Sequence, residues 1–290
     1  MYGTLVIAYL FLGGAAGGTF LVMAVWSLML HHFYPHRSAL VRRDFRLLRG
    51  RIYAIATATL AAAMLCLLWD LDYPDRALMI FTLARPTVLT FGACVLAALL
   101  VIGALLVLAN LFHIRIFTGA TKRILELVCA VFAVAVMGYT GVFLYSNVGV
   151  PLWHSPFLVG LFFCSALSSG LSVVMLVDYF SRAEAKLIHA VRPLQQCHLV
   201  CLAAELVFMA AFVAAAWTNP QAASAIAVLL SPDVLPTALI GTLGLGIVVP
   251  SSLESYAPFR KEQRAIPVSD FVCLIGALCL RWTVIVCGVH

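Results

Sequence analysis

Apolar residues run in blocks of about twenty along this chain, long enough each to form a membrane helix, and short polar stretches separate them. The blocks lack the period-two alternation of a half-buried strand and the polar face of a surface helix. Eight can be read: about 3–30, 52–69, 86–111, 124–146, 157–180, 198–217, 235–253 and 268–289. The pattern predicts an all-α membrane protein with eight transmembrane helices. An even number of spans leaves both termini on one side of the bilayer. Composition agrees, with 64% hydrophobic and 10% charged residues, against about 25% charged in soluble domains.

Charge supplies the orientation. Of 18 Lys and Arg residues, all but Arg76, Arg85 and Arg281 fall in His31–Arg51, His113–Arg123, Ser181–Arg192 and Arg260–Arg264. The alternate stretches near 70–85, 147–156 and 218–236 hold only Arg76 and Arg85. Basic loops stay on the cytoplasmic side, so every odd-numbered loop is expected inside and both termini outside, in the periplasm. The first block follows no basic residue and lacks a small-residue cleavage site, so it is expected to remain as a span. The net charge of +6 is accounted for by the inner loops and calls for no nucleic-acid partner. The loops are too short for an extramembrane domain. A large soluble active site would have to come from another subunit, so the chain is either a transporter or the membrane arm of a complex.

The nine cysteines, Cys66, Cys94, Cys129, Cys164, Cys197, Cys201, Cys273, Cys279 and Cys287, all lie within apolar blocks. None forms a Cys-x-x-Cys pair, no iron–sulfur spacing is present, and such scattered cysteines pack as small hydrophobes. Cys197 and Cys201 flank His198 on one helix face but have no second ligand pair, so no metal is expected. Only His198 of the eight histidines belongs to a span. No two can meet at mid-membrane depth, so no haem is expected either. Any electrons handled here would travel on a diffusible carrier such as a quinol.

Ionisable residues inside a span are functional candidates by default. At about 1.5 Å per residue, Tyr9, Tyr139 and Arg281 come to lie in the outer third, with Asp70 and Asp72 ending the second span there, Arg85 opening the third, and Trp153 and His154 leading into the fifth. Tyr9, Asp70, Tyr139, His154 and Arg281 are thus expected to converge on one outer pocket. The plainer readings are interfacial anchoring for Trp153 and Tyr139, and helix capping or pairing with Arg76 and Arg85 for Asp70 and Asp75. Arg281 is followed by an apolar run and needs Asp70 or a backbone carbonyl as partner. A second set, Glu126, Asp178, His198, Glu205 and Asp270, lies in the inner half, and Glu126, His198 and Glu205 form a candidate proton path. Gly13/Gly17 and Gly14/Gly18 make two overlapping small-xxx-small pairs, which permit close helix approach. The glycines of Gly241–Gly246 sit in an apolar span and are not a dinucleotide fingerprint, which needs a preceding strand.

Several segments resemble the NrfD-like membrane subunits of polysulfide reductase and related molybdenum oxidoreductases. They are Tyr9–Gly18 in the first span, Asp70-Leu-Asp-Tyr-Pro-Asp-Arg76, Thr90-Phe-Gly-Ala93 after Arg85-Pro86, Tyr139-Thr-Gly141 followed by Pro151-Leu-Trp153, and Leu280-Arg281-Trp282 with Gly288. They occur in family order along the whole chain. Asp72 and Tyr73 replace the usual Gly-Arg, and Tyr9 stands where some members carry a His. The resemblance implies two four-helix bundles, 1–147 with the quinone site and 148–290, in the inner membrane of a bacterium. It implies that the chain anchors a ferredoxin-like four-cluster iron–sulfur subunit, itself carrying a molybdopterin catalytic subunit, on the periplasmic face. Menaquinol or ubiquinol would bind in the first bundle, with Asp70 and Tyr139 as its chemical groups and Tyr9, His154 and Arg281 around it. The chain would hold no haem or cluster and no substrate-reducing active site of its own. The competing expectation is a secondary transporter or proton channel, which calls for paired broken helices near the midplane.

The charge pattern makes a direct prediction. Reporter fusions at Arg46, Lys122, Lys186 and Lys261 should all read cytoplasmic, and a periplasmic reading at two of them would invert the topology.

Overall fold

The computed structural model describes residues 3–33, 39–70, 87–111, 119–147, 149–181, 184–256 and 267–289. Among them every regular element is helical. The long helices are α1 (Thr4–Phe33), α2 (Ala39–Trp69), α3 (Val88–Leu111), α4 (Gly119–Tyr145), α5 (Pro156–Phe180) and α6 (Glu184–Thr218). A short helix α7 (Ala223–Leu229) follows, then a π-helical segment (Thr237–Val248) continued by α8 (Val249–Tyr256), and finally α9 (Pro267–Val289). Eight of these stretches are long and apolar enough to cross a bilayer, the number read from the sequence. Pro156 and Pro267 open their helices, at the first position where a missing N–H costs nothing.

Two sequence boundaries shift. The second span was expected from residue 52, but α2 is helical from Ala39, and α4 takes in Lys122 and Arg123. Arg49 therefore lies in a helix and is buried, not in a solvated loop. A buried counter-charge, described below, makes this possible. The stretch expected as an outer loop at 218–236 contains α7 and a 3-10 turn at Pro220–Ala222. Asp72, Asp75, Arg76 and Arg85, with most of the Asp70–Arg76 segment, lie outside the described residues.

Helix α1 is the hub, packing on α2, α4, α5 and α9. Of its most apolar stretch 72% is buried, against 22% for α6, which rides on the outside. Only one of the two glycine pairs works as a pair. A Cβ on Gly18 would overlap the Ala166 carbonyl of α5, one on Gly170 would overlap the Gly18 main chain, and Gly14 faces Ala166 on the same side. Gly17 instead faces Met137 of α4, and Gly13 meets only Tyr9 of its own helix. A similar contact joins the π-helical segment to α9, where a Cβ on Gly276 would overlap Gly246. Pro250 follows that segment. Proline cannot take an i→i−4 bond and crowds the turn before it, which the wider π winding accommodates.

At one end of the molecule Trp153 is fully buried. Its indole N–H donates to the Val284 carbonyl at 3.1 Å, and its ring fills the space that a side chain at Gly288 would need. Asp70 lies at the same end, its carboxylate 3.2 Å from where a Gly3 Cβ would be.

The glycine contacts predict opposite effects for one substitution. Gly18→Ala should destabilise the protein by about 1–3 kcal/mol, the usual cost of overpacking. Gly138→Ala, where an added Cβ would meet nothing, should be neutral or stabilising by up to about 1 kcal/mol. Thermal melting in detergent distinguishes them.

Candidate functional site

Four groups of polar side chains are packed between the helices. The first lies at the Asp70 end. Tyr9 and Tyr139 are both buried, on α1 and α4. The Tyr9 hydroxyl faces Tyr139 but completes no hydrogen bond. The Tyr139 ring lies directly against Gly92 of α3, where any side chain would overlap it, and packs beside Phe143 at 5.9 Å. Alongside, a groove of about 520 Å³ opens laterally, lined by Thr87, Val88, Thr90, Phe91 and Cys94 of the α3 end and Val142 of α4. Asp70 stands at the head of α1, some six residues or about 9 Å of helix rise above Tyr9. His154 is exposed and stacks on Tyr145 at 5.5 Å; it borders not this groove but a separate recess with Ser155, Phe157 and Asn219.

The second group surrounds Arg281, which has no solvent exposure. Of its two expected partners it takes the main chain, not Asp70. Nε donates to the Leu10 carbonyl at 3.2 Å, and Nη1 to the Ala277 carbonyl at 2.7 Å and the Ser165 hydroxyl at 3.1 Å. The guanidinium sits over Phe162 and Phe11, at 5.5 and 5.8 Å from the ring centroids. Its Nη2 has no partner and lies 2.9 Å from where a Gly14 Cβ would be, so only glycine leaves it room. The acidic residue facing it is Glu205, which approaches the same Ser165. Arg281 thus ties α9 to α1 at Leu10, the residue after Tyr9, without entering the tyrosine pair.

The third group was not foreseen. At the opposite end of the first four helices, Arg49 of α2 donates from Nη1 to Glu126 at 2.8 Å and to Ser27 at 2.6 Å, and from Nε to Asn110 at 2.9 Å. Ser27 donates to both Glu126 oxygens at 3.0 and 2.9 Å, and Lys122 donates to Asn110. One residue each from α1, α2, α3 and α4 thus closes a buried clamp. The sequence signal was weak, because Arg49 sits within a run of arginines that reads as loop charge.

The fourth group joins α5, α6, α8 and α9. His198 Nδ1 lies 2.6 Å from Glu254 Oε1, and Ser269 donates to that oxygen at 3.2 Å. His198 Nε2 faces Ser168 at 3.1 Å, Ser172 at 3.3 Å and Cys273 at 3.5 Å. Asp270 completes the set, with ligand atoms of His198, Glu254 and Asp270 all within 4.8 Å of one another. Glu254 was missed in the sequence because it lies near the end of a span, where a carboxylate ordinarily reaches water. Glu126, His198 and Glu205, grouped above as one path, are distributed over three of these groups.

Buried polar groups held between eight apolar helices define a multi-pass membrane protein whose chemistry lies within the helix packing. The chain belongs to the family described as polysulphide reductase, NrfD, whose model matches residues 1–290. Membership fits a membrane-anchor role beside oxidoreductase subunits. No curated protein matches the chain significantly.

The Arg49 clamp is testable by itself. Arg49→Met or Glu126→Met alone strands a buried charge and should cost about 3–5 kcal/mol, whereas the double variant should recover most of that loss. Unfolding of the four proteins in detergent would show whether the cost is this strongly non-additive.

Proposed function

We propose that the chain is the quinol-handling membrane subunit of a bacterial respiratory oxidoreductase complex, oxidising menaquinol or ubiquinol, or running the reverse reaction. The carrying observation is the Tyr9 hydroxyl, buried and directed at Tyr139 without a completed hydrogen bond, with an open surface groove next to Gly92, against which the Tyr139 ring lies. A buried hydroxyl with no partner is costly. A quinol entering from the bilayer would satisfy it, leaving the isoprenoid tail in the groove. Oxidation of a quinol releases two electrons and two protons. The Tyr139 hydroxyl exchanges a hydrogen bond with one head-group oxygen, and the Asp70 carboxylate, at the head of α1, accepts the two protons in turn, releasing the first toward that face before taking the second. Proton transfer of this kind requires hydrogen-bond reach, which often tightens only when substrate is bound. His154 lies outside the groove. Arg281 acts as a positioning residue, fixing α1 through Leu10.

In this reading the electrons leave to a four-cluster iron–sulfur subunit docked on the periplasmic face near Asp70, which passes them to a molybdopterin catalytic subunit. The protein stands in the inner membrane with both termini outside, as two four-helix bundles. A secondary transporter is the other class to weigh. The π-helical segment breaks the seventh span, but among the described residues α1–α4 carry no matching break, and paired breaks are the mark of that class.

Tyr139→Phe keeps the ring and removes one hydrogen bond, so quinol binding should weaken by about 0.5–1.5 kcal/mol with assembly intact. Asp70→Asn removes a proton acceptor and should lower quinol oxidation further. The assay is quinol oxidation by the assembled complex, next to reduction by a viologen dye that bypasses this subunit. Full quinol activity in both variants would move the site elsewhere.

A further inference from the structure

The group around His198 lies apart from the tyrosine pair proposed to hold the quinol, and it is built differently from the Arg49 clamp. In the clamp a guanidinium neutralises the buried Glu126. Around His198 there are two carboxylates, Glu254 at 8% exposure and Asp270 at 2%, beside a fully buried imidazole. Among the described residues no Lys or Arg pairs with either acid. Glu254 Oε2 and Asp270 Oδ1, both buried, have no hydrogen-bond partner. Each unpaired oxygen in a low-dielectric interior is expensive, and an uncompensated charge there more so.

We propose that His198, Glu254 and Asp270 form a binding site for a divalent cation of the zinc class. The three side chains come from α6, α8 and α9, and their ligand atoms lie within 4.8 Å of one another. Imidazole nitrogen with carboxylate oxygens is a ligand set that zinc accepts, and one nitrogen makes it less suited to calcium or magnesium, which prefer all-oxygen sites. Two carboxylates match a 2+ charge, so the filled site is neutral, as a group within the hydrocarbon must nearly be. The surroundings supply the orientation that ligating histidines need from their other nitrogen. Nε2 is held by the Ser168 and Ser172 hydroxyls, which leaves Nδ1 toward the acids. The cation takes the place of the proton shared between Nδ1 and Glu254 Oε1, and the bare Glu254 Oε2 and Asp270 Oδ1 turn from orphans into ligands. Filled, the site joins the seventh and eighth spans to α6, as Arg49 joins the first four.

The sequence offered no such site because it placed His198 beside Cys197 and Cys201. The relevant acids lie 56 and 72 positions further on, and only the fold brings them to the histidine.

The test uses the full chain, purified in detergent, stripped with a chelator and titrated with zinc. The wild type should bind about one equivalent and melt at a higher temperature when loaded, since a ligand of the folded state stabilises it. His198→Gln, Glu254→Gln and Asp270→Asn should each weaken zinc binding by at least about tenfold and lose the thermal shift. The Cys197→Ser/Cys201→Ser variant should keep both. If a variant fails to fold, the cobalt spectrum of the wild type decides. Ligand-field bands without thiolate-to-cobalt charge transfer support the site, whereas strong charge transfer places the metal on cysteine and overturns it. Zinc binding that survives the acid substitutions, or no binding and no thermal shift in the wild type, also overturns it. None of these readouts depends on quinol activity, so the two proposals fail separately.

Discussion

The approach of Gly18 to Gly170 sets the spacing on which the other contacts depend. Between apolar helices in lipid there is no hydrophobic force to draw them together, so close packing must supply the attraction. With no side chain between them, the backbones of α1 and α5 nearly touch. That contact brings Ser165 and Leu10 within reach of the one guanidinium of Arg281, and it places α1 deep enough for Tyr9 to meet Tyr139 across from α4. A wider spacing would leave Arg281 with a single helix and more unpaired donors than Nη2.

The bilayer imposes the rest. Polar atoms that cannot reach water must find one another, and here they do so in compact groups at particular depths. Each group draws on three or four helices, and each therefore fixes the rotation of those helices about their axes, which apolar packing alone specifies weakly. The Arg49 clamp is complete, with every named donor placed. The tyrosine pair and the His198 group are incomplete, each with buried oxygens lacking a partner. The Arg281 group lies between the two cases, tying three helices together while its Nη2 has no partner.

The number of spans and the position of each were legible in the sequence, because hydropathy over twenty residues is a sum and tolerates local error, but helix ends that carry charge, such as the start of α2, were not. The need of Arg281 for a buried partner was legible too, since it sits in an apolar run, although Asp70 and a main-chain carbonyl were both open to it. Partner identity was not legible. Asp70 and Arg281 have similar depth, yet depth says nothing of which way a side chain points around its helix, and Arg281 turned to Leu10 and Ala277. Arg49 was hidden for the converse reason. One buried arginine among six basic residues in His31–Arg51 carries no local mark, and its burial follows only from Glu126, 77 positions away. Charge counting read these residues collectively as one basic stretch, and for that reason could not single one out.

The burial of α1 bears on how the protein is made. It is synthesised before every helix it packs on, yet among the described spans it ends with the most of its surface covered by the others. The neighbours of its glycine face, α4 and α5, are synthesised later, so α1 must first stand in lipid with that face bare. Insertion of the early spans and closure of the fold are therefore separate events in biogenesis. During the interval between them the bare face of α1 is open to any other small-residue helix at the translocon.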